Sequence, residues 1–168
     1  PYGNTHGSIC EINGQWWVFY HRQTGTDEYS RQAMVAPITV KVEKAKGGKV
    51  IISEGEYNSE GFRTEGLNPL HKSAAGWACY LINPKGVEHN YPNNVFSGSY
   101  VKSTRMNVDS YEGPFNQKIP YCPVVNNTSG SIVGYKYFNF NHTTGEDMLK
   151  LIAHLKPEGI DGTITVMV

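Results

Sequence analysis

The sequence predicts an all-β fold, and three observations carry that prediction. Glycine (18), tyrosine (11) and proline (9) are plentiful among 168 residues, while charged residues make up only 18%. That mixture suits turn-rich sheets and argues against a helical bundle or a disordered tail. Asn13-Gly14 separates two strand-like arms, and it is the dipeptide best suited to a two-residue hairpin turn because both residues need positive φ. The second arm, residues 15–21, is dense in aromatic and β-branched side chains, which fit a pleated, half-buried surface.

The first arm spans residues 8–12. In the second, alternation puts Trp16, Val18 and Tyr20 on one face and Trp17, Phe19 and His21 on the other. Neither face is polar, so this strand is expected to be covered on both sides, as in a barrel, sandwich or propeller blade. A polar loop at 24–28 leads to a long strand over 29–42, in which Pro37 marks an edge or bulge because it cannot donate to the ladder. Residues 44–49 form a turn and 50–52 return, giving about four strands, the number expected of one propeller blade. Residues 53–73 hold Gly55, Gly61, Gly66 and Pro69 with little periodicity and begin with a linker. Short strands are expected at 76–81, 121–125 and 131–140 and an unfinished one at 163–168, whereas 83–117 has no assignable pattern. The segment 148–155 fits either period, with helical spacing at Met148, Leu151, Ile152 and Leu155 and strand spacing at Leu149, Leu151, Ala153 and Leu155, so periodicity leaves helix and strand both open.

Fifteen basic and fifteen acidic residues give zero formal net charge, so nothing points to nucleic acid or an anionic membrane as partner. No apolar run approaches the roughly 18 residues of a membrane span. Cys10, Cys79 and Cys122 are far apart without a C-x-x-C pair, which argues against a zinc site or a disulfide framework. They read as buried free thiols, with a single Cys79–Cys122 bridge as the alternative. The chain begins Pro-Tyr-Gly and ends Thr-Ile-Thr-Val-Met-Val, which reads as a piece cut at both ends.

Two residues stand out chemically. Arg31 lies in an otherwise apolar strand, where a guanidinium is costly unless it meets a carboxylate or a sugar hydroxyl; the alternative is a surface arginine on an edge strand. His6, before a glycine, reads on its own as a hydrogen-bonded structural residue. His21 suits a packing or supporting role, and Tyr29, in the loop before Arg31, suits a rim contact. No G-x-S-x-G is present and Cys10 lies inside a hairpin arm, so no nucleophile is indicated.

Three motifs in order, His6-Gly-Ser-Ile9, the hairpin N-G-Q-W-W-V-F-Y-H-R of residues 13–22, and Tyr29-Ser-Arg-Gln-Ala-Met-Val-Ala-Pro-Ile38, resemble the last blade of the five-bladed β-propeller of glycoside hydrolase family 43. That family holds arabinofuranosidases, β-xylosidases and arabinanases. Residues beyond about 66, best at 76–81, 130–140 and 162–166, more loosely resemble the jelly-roll β-sandwich of carbohydrate-binding family 6. The resemblance implies a blade at 1–52, a linker at 53–66 and an incomplete sandwich at 67–168, in which 148–155 is a strand. It implies that Arg31 reaches substrate at the floor of the active site and that His6 points toward a central structural calcium ion, as ligand or through water. The general acid and base of an inverting glycosidase stand about 6.5–9.5 Å apart. In the family they come from earlier blades, and Asp27, Glu28, Glu54 and Glu56 match none of its catalytic motifs. The expected protein is the C-terminal part of a secreted or surface bacterial hemicellulase acting on plant cell-wall polysaccharide, arabinose and xylose being indistinguishable at this level. The alternative is a non-catalytic carbohydrate-binding sandwich.

Overall fold

The computed structural model describes residues 6–23, 31–86, 89–90, 95–96, 98–102, 122–145, 148–159 and 161–168. The chain is all-β, as its composition requires, with short 3-10 turns as its helical elements among the described residues.

Its centre is an antiparallel meander of β1 (Ser8–Ile12), β2 (Gln15–Gln23) and β3 (Arg31–Ile38), in that spatial order. Asn13 and Gly14 take φ of 51° and 80°, the double left-handed geometry of the tightest hairpin. Ile12 faces Gln15 and the register runs on to Ser8 opposite Phe19. A two-residue turn closes on a hydrogen-bonded pair, so Gln15, Trp17 and Phe19 turn their backbone groups to β1. Trp16, Val18, Tyr20 and Arg22 therefore turn theirs to Ile38, Ala36, Met34 and Gln32 of β3. Pro37 falls on a residue whose backbone points away from β2, where a missing N–H costs nothing.

Both faces of β2 are covered. Over the face of Val18, Ala36 and Ile38 crosses Gly55, whose position has no room for a side chain: a Cβ there would come within 2.7 Å of Val18 Cγ1. Tyr57 follows, its ring 5.8 Å from Tyr20. The opposite face is met by Phe62, edge-on to Trp17 at 5.3 Å and tilted to Phe19 at 5.7 Å. Trp17, Val35, Ala36 and Ile38 are buried between these covers.

The expected long strand at 29–42 divides at Thr39. Its described part continues as β4 (Val40–Val42), which pairs with β5 (Val50–Ile52). Ser53 breaks the run, accepting from the Thr39 N–H through its hydroxyl while its own N–H donates to Thr39 O.

Beyond residue 66 the elements are shorter than expected. The 76–81 strand is replaced by a 3-10 turn (Ala75–Trp77) and β6 (Tyr80–Ile82). β7 (His89–Asn90) pairs with β8 (Val95–Phe96), β9 (Tyr100–Val101) with β10 (Val124–Val125), and β11 (Ile132–Gly134) with β6. The expected strand at 131–140 ends at Gly134. Its remainder is held by a parallel bridge of Phe138 to Leu67 and a second 3-10 turn (Phe140–His142).

Three loops converge on Asn83, which is buried at 7% exposure. Its Nδ2 lies 2.9 Å from Ser131 Oγ, 3.3 Å from both Ser99 Oγ and Thr128 Oγ1, and 3.4 Å from Asn126 O, while its Oδ1 accepts from the Lys85 N–H. Asn83→Ala leaves those oxygens without their shared donor around a buried position. It is expected to lower stability by about 2 kcal/mol, read as a shifted urea midpoint at unchanged slope.

Residues 148–159 and 161–168 correct the expectation of strands at 148–155 and 163–168: neither segment holds a strand or helix. Met148, Leu151, Ile152, Leu155 and Met167 are all exposed. Alternating apolar residues need a paired strand and a covered face before they form a ladder, and no described residue supplies either. Cys10 is likewise exposed rather than buried, on the outer strand of the meander, while Cys79 is buried, Cys122 half-buried and all three are free thiols.

Candidate functional site

The meander gathers three of the four singled-out residues at the end opposite the Asn13-Gly14 turn. Ser8 faces Phe19, so continuing the register brings His6 across from His21. The two rings lie 6.2 Å apart, tilted by 53°. Gly7 between them and the strand is close-packed, since a Cβ there would come 3.0 Å from Phe19 O. His21 faces Ala33, and Gln23 faces Arg31. Arg31 therefore shares a sheet face with His21 as its diagonal cross-strand neighbour, a relation that spans roughly 7–8 Å. Arg31 opens β3 and is half-buried, so it stands at the end of the strand rather than within its apolar run. Tyr29 lies outside the described residues.

The chemistry on offer is one fixed positive charge beside two imidazoles. Imidazole both donates and accepts hydrogen bonds, and guanidinium is a forked donor. Such a set grips hydroxyls or a carboxylate, and it contains no general acid–base pair of carboxylates. Among the described residues no three His, Cys, Asp or Glu side chains group as a metal site would require. Calcium takes about 6–8 oxygen ligands, so the two imidazoles by themselves do not fit that ion.

Arg22, next to His21 in sequence, points to the other face and does something the sequence did not announce. Its Nε donates to Gln32 Oε1 at 2.7 Å, and its two terminal nitrogens donate to Ala78 O at 2.6 Å and Gly76 O at 2.7 Å. Gln32 Nε2 adds a bond to Gly76 O at 2.9 Å, and the guanidinium lies over the Tyr57 ring at 5.8 Å. Burial pushes the Tyr20 hydroxyl up to about 12, helped by Tyr57 and opposed by Arg22, and burial raises Tyr57 as well. The charge in this patch thus resides on Arg22, and its task is to fasten residues 76–78 to the sheet. The one sequence hint is that Arg22 and Gln32 are both polar on an otherwise apolar face.

A second cluster joins the linker to β11's continuation. Glu56 Oε1 accepts from Lys136 Nζ at 2.7 Å and from the Tyr137 hydroxyl at 2.8 Å, and Lys136 lies 4.7 Å over the Tyr80 ring. These bonds hold the Glu56 carboxyl below its usual range. The carboxylate is exposed and screened by solvent, which suits a surface tether.

No protein-family model matches the chain, and no solved structure matches it. No described helix is long and apolar enough to cross a membrane. A xylosidase/arabinosidase from Thermoclostridium stercorarium is 30% identical over 138 residues, which is 82% of this chain but 26% of that protein. The chain is therefore related in sequence to part of a glycoside hydrolase, of whose length it spans about a quarter.

Proposed function

We propose that this chain is the C-terminal part of an inverting glycoside hydrolase that releases arabinofuranosyl or xylosyl groups from plant cell-wall polysaccharide outside the cell. The similarity to a xylosidase/arabinosidase carries the reading. The meander at 8–38 extended by β4–β5 suits the last blade of a family 43 propeller, and residues 67–168 suit a family 6 type sandwich completed by further strands. Arg31 would bind substrate and keep a neighbouring carboxylate ionised, with Tyr29 at the rim and His21 supporting His6. A structural calcium ion near His6 would draw its oxygens from other segments and water, His6 bonding to one of those waters.

On this reading the acid and base lie in preceding blades, so the 168-residue chain hydrolyses nothing. The test compares the chain with a longer parent protein on aryl arabinofuranosides and aryl xylosides. Turnover by the parent and none by the chain is expected. Turnover by the chain alone sinks the division of labour, and an inactive, folded parent sinks the hydrolase reading.

A further inference from the structure

The outer edge of β3 borders an open cleft of about 510 Å³, within the roughly 300–1,000 Å³ of ligand pockets. One wall is β3 from Gln32 to Val35 and the other is the turn of residues 58–63. The register established above turns the backbone N–H and C=O of Ala33 and Val35 away from β2. Neither residue's backbone is bonded to a described residue, and both residues line the cleft, their outward-turned groups repeating at roughly 6.6 Å.

The opposite wall supplies complementary chemistry. Phe62 is fixed by Trp17 and Phe19 yet remains 59% exposed, so one ring face is open. Glu60 is over nine-tenths buried. Burial raises its carboxyl above the ordinary range, and the Gly66 N–H partly offsets this. Arg63 lies over the Trp77 ring at 5.8 Å. One acid and one base leave the cleft electrically balanced.

We infer that this cleft is a second saccharide site, taking a short neutral oligosaccharide with one sugar ring stacked on Phe62 and its hydroxyls bonded to the Ala33 and Val35 backbone. Polyols with an apolar ring face need that combination of an open aromatic ring and paired donors and acceptors. A peptide strand fits the edge less well. Pro37 offers no N–H, and Thr39 O is already taken by Ser53, so the ladder such a strand would need is cut off after Val35. The inference leans on the glycosidase reading for the kind of sugar, and it places that sugar at the sheet edge instead of beside His6 and Arg31.

The experiment is a titration of the 15N-labelled chain with xylotriose and with arabinotriose, read by backbone NMR. Saturable shifts of the Ala33 and Val35 amides are expected with at least one of them. Phe62→Leu, which keeps apolar bulk against Trp17, and Ala33→Tyr, which fills the cleft from an exposed position, should each weaken binding tenfold or more with the remaining spectrum unchanged. Shifts confined to His6, His21 and Arg31 would uphold the glycosidase reading and overturn this one. No shifts at all, or shifts of Ala33 and Val35 by a Thr/Val-rich peptide but by neither sugar, would also overturn it. Cleft shifts in the chain alongside an inactive longer parent would leave the saccharide site standing without the hydrolase.

Discussion

Arg22→Met is expected to lower the stability of the chain by about 3 kcal/mol, the largest single-residue loss among the interactions described. Bonds involving a charged partner contribute roughly 1.5–3 kcal/mol each. Arg22 makes three, to Gln32, Gly76 and Ala78, over a stem packed beside Tyr57. They are not additive, because the carbonyls of buried Gly76 and Ala78 recover some water once the guanidinium above them is gone. Methionine keeps most of the stem, so the loss reports the head group. Arg22→Lys should recover less than half of it, since an ammonium cannot span two carbonyls and the Gln32 amide in a planar fork. Urea unfolding followed by far-ultraviolet dichroism measures both variants, and a loss below about 1 kcal/mol for methionine would remove Arg22 from the account of how the two parts are joined.

Arg31→Ala, made in a longer active parent, is expected to lower kcat/KM by about 100-fold, equivalent to roughly 2.7 kcal/mol of transition-state binding. The melting temperature should move little, because Arg31 opens β3 at the rim of the sheet and is not part of the core formed by Trp17, Val35, Ala36 and Ile38. Arg31→Lys should fall in between, retaining charge without the fork. An arginine that serves only the sheet end would give the opposite pattern, with a lowered melting temperature and unchanged kinetics, and that result would end its assignment to substrate.

The parts of this chain that were legible in its sequence are those decided within a few residues. Asn13-Gly14 permits one turn geometry, that turn sets the β1–β2 register, and alternation then fixes which side chains share a face with Trp17 and which with Val18. Proline at position 37 identifies an edge by its missing donor. His6 and His21 were separately visible, and their meeting follows from the register. What was illegible is decided at long range. Nothing near Arg22 or Gln32 says that the carbonyls of Gly76 and Ala78 will be their partners. The same holds for Asn83, whose ligands come from residues 99, 126, 128 and 131. The 148–155 segment failed for the converse reason: its spacing admits either a helix or a strand, but pattern states only what a segment could bury and not whether a surface is there to receive it.

The reach of the Arg22 bonds carries a consequence for the order in which structure is lost. β1 and β2 are joined by two residues, and β2 and β3 by the short stretch between Gln23 and Arg31, whereas Arg22 finds Gly76 and Ala78 at separations of 54 and 56 residues. Closing the longer loop costs roughly 1.5–2 kcal/mol more in chain entropy. On opening, that entropy is returned first. The docked region should therefore release while the meander persists, so that slowly exchanging amides concentrate in β2 and those of residues 78–82 exchange through a lower-energy, partial opening. Uniform exchange across both regions would mean that they melt as one cooperative unit.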